Sequence, residues 1–186
     1  MERAMENEKV VTLEALMALR PAWRAAGQRV VFTNGAFDLL HVGHVRYLQA
    51  ARALGAVLIV GLNSDASVRA YKGPSRPLIA AAERAELLAA LACVDYVTLF
   101  DEPTATRLVT ALAPDIYVKG GDYQDGPGAA SKPLPEAAAV QAAGGAVHII
   151  PFVPGRSTSG LIERIEAAGR AETRAGRSTG RGETAD

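Results

Sequence analysis

Two histidines, His41 and His44, stand three residues apart just after an apolar run of strand type, in the stretch FTNGAFDLLHVGH (32–44). That spacing at a helix start puts both imidazoles on one face, and the start itself offers N–H groups and the positive end of the helix dipole to an anion. Two ring N–H groups there can donate to phosphate oxygens as negative charge builds on an attacked phosphorus. Such help is electrostatic stabilisation of a transition state and needs no covalent intermediate. Gly35 and Gly43 allow close backbone approach. Taken alone, the pair reads equally well as a solvated or helix-capping pair. Zinc usually takes three or four such ligands, and the chain otherwise offers only His148 and Cys93, so no metal site of the protein's own is expected.

Polar residues gather at three further strand ends. Asn63, Ser64 and Asp65 follow the run AVLIVGL and read as either a ligand contact or a turn with a helix cap. Lys119 ends another run and precedes Gly120, Gly121 and Asp122, a cation beside a permissive backbone that suits a sugar phosphate or nucleotide. Arg156, Ser157 and Thr158 open the last helical segment, where hydroxyls and amides bind phosphate and an arginine adds bidentate charge. Capping by Ser157 or Thr158 is compatible with that role.

The elements that must position these residues alternate. Strand-type runs cover Val30–Thr33, Ala56–Leu62, Tyr96–Phe100, Ile116–Val118 and Val147–Ile150. They are nearly continuously apolar, as expected of strands covered on both faces. Helical periodicity covers Leu13–Arg20, His44–Ala53, Ala80–Leu91, Thr104–Ala113, Leu134–Ala143 and Ser159–Ala168. The alternation predicts an α/β fold: a doubly wound, Rossmann-like, five-stranded parallel sheet with right-handed crossovers. In such sheets ligands sit at the carboxyl ends of the strands, beside the point where strand order reverses. Gly27, Gly55 and Gly144–Gly145 each lie between a helix and a strand, where a left-handed cap is expected. Residues 121–132 read as a surface loop. Residues 1–168 read as one domain, and 169–186, with no apolar residue beyond Ala, as a disordered tail.

Composition bounds the partners. The 186 residues suit a single core, and 49% hydrophobic residues suffice to bury it. Twenty basic and twenty acidic residues cancel, which argues against nucleic acid or an anionic membrane as the bulk partner. No apolar run approaches membrane-spanning length, the first twenty residues lack signal-peptide zones, and Cys93 lies in an apolar run as a core residue. A cytoplasmic location is expected.

HVGH resembles the HxGH signature of the cytidylyltransferase-like nucleotidyltransferases. The longer string VVFTNGAFDLLHVGHVRYLQAARALGAVLIVGLNSD is similar to one branch, the D-glycero-β-D-manno-heptose 1-phosphate adenylyltransferases that make ADP-heptose. The likeness continues through KGPSRP (72–77), ERAELLAALACVDYV (83–97), PDIYVKGGDY (114–123) and VPGRSTS (153–159), and so spans nearly all of the expected domain. It implies that His41 and His44 contact the triphosphate and transition state, and that Thr33, Asn34, Gly35 and Phe37 line the nucleotide pocket. It implies that Asp38 orders the loop or touches substrate, that Lys72 reaches over the phosphates from a flexible loop with Arg76 as a second candidate, and that Lys119 meets phosphate. Ser157 and Thr158 would hold the β- and γ-phosphates. Ala36 stands where relatives commonly have cysteine, so that thiol is not catalytic. The segment 124–132 departs from the usual one and leaves the sugar the less secure half of the expectation.

The reaction implied is attack of a sugar 1-phosphate oxygen on the α-phosphorus of ATP, with Mg²⁺, releasing pyrophosphate. Glycerol-3-phosphate cytidylyltransferase, an FAD-forming adenylyltransferase, or a nucleotide sensor without chemistry are the alternatives. The resemblance further implies a homodimer and a sugar kinase acting upstream as a separate protein.

Overall fold

The computed structural model describes residues 8–121, 134–151, 155 and 157–179. Five parallel strands form one sheet: β1 (Val30–Gly35), β2 (Val57–Asn63), β3 (Tyr96–Phe100), β4 (Ile116–Gly120) and β5 (Ala146–Ile150), in the order β3-β2-β1-β4-β5. Strand order reverses between β1 and β4, so the crevice predicted for ligand lies at their carboxyl ends.

Helices cover both faces. On one, α1 (Leu13–Ala25), α5 (Thr106–Leu112) and α6 (Glu136–Ala142) bury Leu16, Trp23, Leu108, Leu112 and Val140 against Phe32, Ile59 and Tyr117. On the other, α2 (Val42–Arg52) and α4 (Ala81–Ala89) bury Leu48, Leu88 and Ala89 against Val31, Leu58, Val60 and Val118. Alternate strand residues thus feed alternate cores, which is why the strands read as unbroken apolar runs. Beyond β3, Val11 donates to the Val97 carbonyl at 2.9 Å and Val97 to the Lys9 carbonyl at 2.8 Å, covering part of that sheet edge.

Three expectations change. Between the turn expected at Asn63–Asp65 and the KGPSRP loop lies a helix, α3 (Asp65–Lys72), with Ser64 capping it by accepting from the Ser67 amide at 3.2 Å. Its eight residues bury only Ser67 and Val68, so only the cap stood out in the sequence. The last helix, α7 (Thr158–Thr179), continues past Gly169 into the stretch expected to be disordered. Alanine, glutamate and arginine in that stretch favour helix on propensity alone. Gly27 and Gly144 do take positive φ, but Gly55 does not: there a Cβ would meet the Arg29 carbonyl oxygen at 2.7 Å, so a close approach of chains excludes a side chain.

Candidate active site

The turn from β1 into α2 is built around Phe37, which adopts φ 45 although it is neither Gly nor Asn. A left-handed conformation at a bulky residue is strained and is held here by packing: Phe37 is buried, and its ring meets His44 edge-on at 5.4 Å. Gly35 makes room, since a Cβ would lie 3.2 Å from that ring.

His41 is the N-cap of α2. Its Nδ1 accepts from the Gly43 amide at 3.1 Å, while the His41 amide donates to Nδ1 of His44 at 3.4 Å, and the two rings stack at 3.9 Å. An imidazole whose Nδ1 accepts a hydrogen bond must, when neutral, carry its proton on Nε2. The helix start therefore sets both tautomers and makes each Nε2–H a donor. Burial, the adjacent His41 ring and the charge of Lys72 lower the His44 pKa from 6.5 to about 4, so the ring is neutral at pH 7 and acts as a hydrogen-bond donor rather than a cation. The capping reading of the pair is correct, and capping is what orients the donors. Gly43 spends its amide on His41 in the same arrangement.

Across the crevice, Lys119 near the end of β4 donates to the Asn34 carbonyl at 3.2 Å, with Nζ 5.8 Å from the Tyr117 ring centre. The Tyr117 hydroxyl donates to Asn34 Oδ1 at 2.7 Å. Burial lowers the Lys119 pKa to about 8, and the carboxylate of Glu136 pushes it back upward. Glu136, itself buried at the start of α6, accepts from the Ala105 amide at 2.9 Å. Gly120 closes β4 opposite Ile150. Lys72, the last residue of α3, lies near enough for its charge to bear on His44.

Several of the residues expected at the ligand are engaged by the framework. The Thr33 hydroxyl is fully buried and donates to the Tyr47 hydroxyl at 2.7 Å, because the one Tyr47 proton goes to the Val118 carbonyl at 3.0 Å. Asn63 is buried and donates to Ser67 Oγ at 3.0 Å. Asp65 pairs with Arg84 at 2.7 Å. Asp38, almost fully buried, takes the Arg76 guanidinium and the amides of Leu78 and Ile79, at 2.7 and 3.1 Å. Burial would raise its carboxyl, but the Ile79 amide, Arg76 and the Leu78 amide outweigh burial and hold it below the ordinary value. Arg76 is thus turned toward Asp38, with its Nη2 buried against that carboxylate without making a hydrogen bond. Ser157 caps α7 by accepting from the Gly160 amide at 3.0 Å, and Thr158 is that helix's first residue. Asp122, Arg156 and the loop 122–133 lie outside the described residues.

Arg84, Tyr47, Tyr117 and Glu136 were not singled out in the sequence. One signal existed for Arg84: it shares a helical face with Leu88, at i and i+4, inside an apolar stripe. Tyr47 sits one turn after His44 on α2 in the same way.

Comparison with known proteins gives the chain a family. Residues 32–154 match the family described as cytidylyltransferase-like. The chain is 54% identical over 165 residues to the bifunctional protein HldE of Trichlorobacter lovleyi, covering 89% of this chain and 32% of that protein. With HldE of Methylobacillus flagellatus it is 49% identical over 164 residues, covering 88% and 32%. It therefore spans about a third of the length of these curated relatives. Among solved structures, the lipopolysaccharide core biosynthesis protein of Thermoplasma volcanium aligns with TM-score 0.53 at 28% identity, over 68% of this chain and 98% of that one. Pantoate-beta-alanine ligase of Francisella tularensis, solved with a β,γ-ATP ligand and β-alanine, aligns with TM-score 0.53 over 81% of this chain and 68% of that one. At 14% identity it shares the fold.

Proposed function

The chain belongs to the cytidylyltransferase-like family, and from that premise we propose that it transfers AMP from ATP to a sugar 1-phosphate, D-glycero-D-manno-heptose 1-phosphate, giving ADP-heptose and pyrophosphate. The observation that carries the reading is the His41–His44 pair, whose Nδ1 atoms both accept from backbone amides at the start of α2, beside the reversal of strand order. The heptose acceptor is supported by the motif resemblance, by the HldE relatives, and by the 28% identical structure from lipopolysaccharide core biosynthesis.

In this reading an acceptor phosphate oxygen attacks the α-phosphorus in line, and pyrophosphate leaves from the opposite side. A phosphate monoester is already ionised at neutral pH, so no side chain need remove a proton. The Nε2–H groups of His41 and His44 donate to oxygens on the phosphorus as charge accumulates. Lys72 and Lys119 neutralise phosphate charge and hold the two substrates for in-line attack. A Mg²⁺ ion, if bound, would be held by the triphosphate oxygens and would supply further charge neutralisation beside Lys72 and Lys119. Asp38 and Asp65, the carboxylates that follow β1 and β2, are engaged by arginines.

The test is pyrophosphate release with ATP or CTP, each offered heptose 1-phosphate or glycerol 3-phosphate. ATP with heptose 1-phosphate should be the productive pair, and His41→Ala or His44→Ala should lower its turnover by about 10²–10³-fold. Turnover with CTP and glycerol 3-phosphate would replace this substrate assignment. Tight ATP binding without pyrophosphate from any acceptor would make the protein a sensor.

A further inference from the structure

Arg84 on α4 has no part in the chemistry above, yet its side chain is fully buried and is the bulkiest group so enclosed in the molecule's described residues. Its three nitrogens reach three separate segments. Nε donates to the Ile79 carbonyl at 2.9 Å, Nη2 to Asp65 Oδ1 at 2.7 Å, and Nη1 makes a short bond to the Ala36 carbonyl.

Asp65 begins α3 and Lys72 ends it, roughly 10 Å further along a rigid helix. Ile79 lies beyond the loop that follows. One guanidinium therefore holds both ends of the segment that carries Lys72. Its third bond ties that segment to Ala36, the residue before Phe37, in the turn that leads into His41 and His44. Asp38 closes the ring from the other side, taking Arg76 and the Leu78 and Ile79 amides.

We infer that Arg84 is a positioning residue: it fixes the Lys72 segment against the turn that carries the histidine pair, and so sets the spacing of the cation and the two donors around the reacting phosphorus. The inference rests on the reading of Lys72 as a phosphate-binding cation. A rigid planar fork suits this task because its donors are fixed relative to one another; a lysine carries the same charge on a single nitrogen and cannot reach three acceptors so disposed. Burying a cation against one partly exposed carboxylate is poor value for stability, since apolar replacements of such pairs are often neutral or stabilising. The arrangement makes sense as geometry.

The experiment is a double-mutant cycle on the full chain, with kcat and KM for ATP measured for wild type, Arg84→Lys, Lys72→Ala and the double variant, each confirmed folded by thermal melting. Arg84→Lys should lower kcat by about 10²-fold, the size expected of a misplacement near 1 Å, with a smaller change in KM. In the Lys72→Ala background the same substitution should then have little further effect, because the geometry it disturbs no longer holds a cation. If the two losses multiply, or if Arg84→Lys turns over normally, the inference is wrong while the proposed function stands. Normal turnover in Lys72→Ala would instead remove the reading on which the inference rests, and the inference with it. Should Arg84→Lys fail to fold, Asp65→Asn, which loosens the same helix start from a partly exposed position, enters the cycle in its place with the same expectations.

Discussion

At the amino end of the sheet, Asp95 and Asp115 each stand one residue before a strand and do the same work. Asp95 accepts from the Leu58 amide of β2 at 2.7 Å and pairs with Arg52 at 2.9 Å. Asp115 accepts from the Val30 amide of β1 at 2.7 Å and pairs with Arg20 at 3.0 Å. Each carboxylate thus joins two neighbouring strands, and each arginine goes on to satisfy helix-end carbonyls: Arg20 those of Leu112 and Ala113, Arg52 that of Gly55. At the carboxyl end the same device recurs in Asp38–Arg76 and Asp65–Arg84, but there it ties together the segments that follow β1 and β2. Those segments carry His41, His44 and Lys72, and Lys119 on β4 reaches the end of β1 at Asn34. The chemistry of an Asp–Arg pair is shared by both ends. What differs is that the amino end uses it to finish the sheet, whereas the carboxyl end uses it to hold nitrogen donors in place around a crevice.

That contrast predicts that turnover is lost only at the carboxyl end, while stability is lost at either end in proportion to how deeply the carboxylate is buried. The largest effect belongs to Asp38→Ala, which strands a buried guanidinium and two amides and should lower unfolding free energy by about 3–5 kcal/mol, as read by urea denaturation. A loss below about 1 kcal/mol would mean that the loops at the carboxyl end hold without it.

Lys119→Met should do the reverse. It lowers kcat/KM by about 10²-fold and leaves the denaturation midpoint unchanged or higher, since a partly desolvated charge is removed. The same residue gives a pH signature. With a pKa of about 8, it is charged below that value and loses its charge as pH rises through it. The kcat/KM of the wild type should therefore decline above about pH 8, while Lys119→Arg stays flat there. A wild-type profile level to pH 10 would remove Lys119 from the phosphate site.

Asp95→Asn and Asp115→Asn are the matching probes at the amino end. Both carboxylates are about a third exposed, so each substitution should lower stability by about 1 kcal/mol with kcat intact. A fall in kcat at constant KM would show the two ends to be coupled.

A further effect is at acid pH. The His44 pKa is lowered from 6.5 to about 4 in the folded chain, so between those values the unfolded chain binds more protons and stability falls as pH drops. This loss begins above the window in which Asp38, held below the ordinary carboxylate value, starts to protonate. Denaturation of wild type and His44→Gln at pH 7 and 5 should converge or cross as pH falls. Equal pH slopes in the two would count against a buried, neutral His44.

Periodicity and local signals made the architecture legible before any coordinates. Nearly continuous apolar runs alternating with helical ones fixed an α/β parallel sheet, because a strand covered on both faces has no polar face to show. The HVGH spacing likewise announced a helix start with two aligned imidazoles, since i and i+3 adjacency is set by helix pitch alone. Short α3 was missed because its eight residues offer little more than one turn of pattern around Val68, and the continuation of α7 because it has no apolar residue beyond Ala.

The roles of polar residues were a different matter. Thr33, Asp38, Asn63 and Asp65 carry the types and strand-end positions of ligand contacts, and in the fold their hydrogen bonds go to Tyr47, Arg76, Ser67 and Arg84. Three of those four partnerships span eleven or more residues of sequence, and in a strand followed by a helix both a site and its framework present the same residue types. The sequence by itself determined the five strands, most of the helices and the strand ends at which polar residues gather. Only the tertiary structure decided which polar groups were already satisfied by the protein, because hydrogen bonds between distant segments leave no periodic trace in the chain.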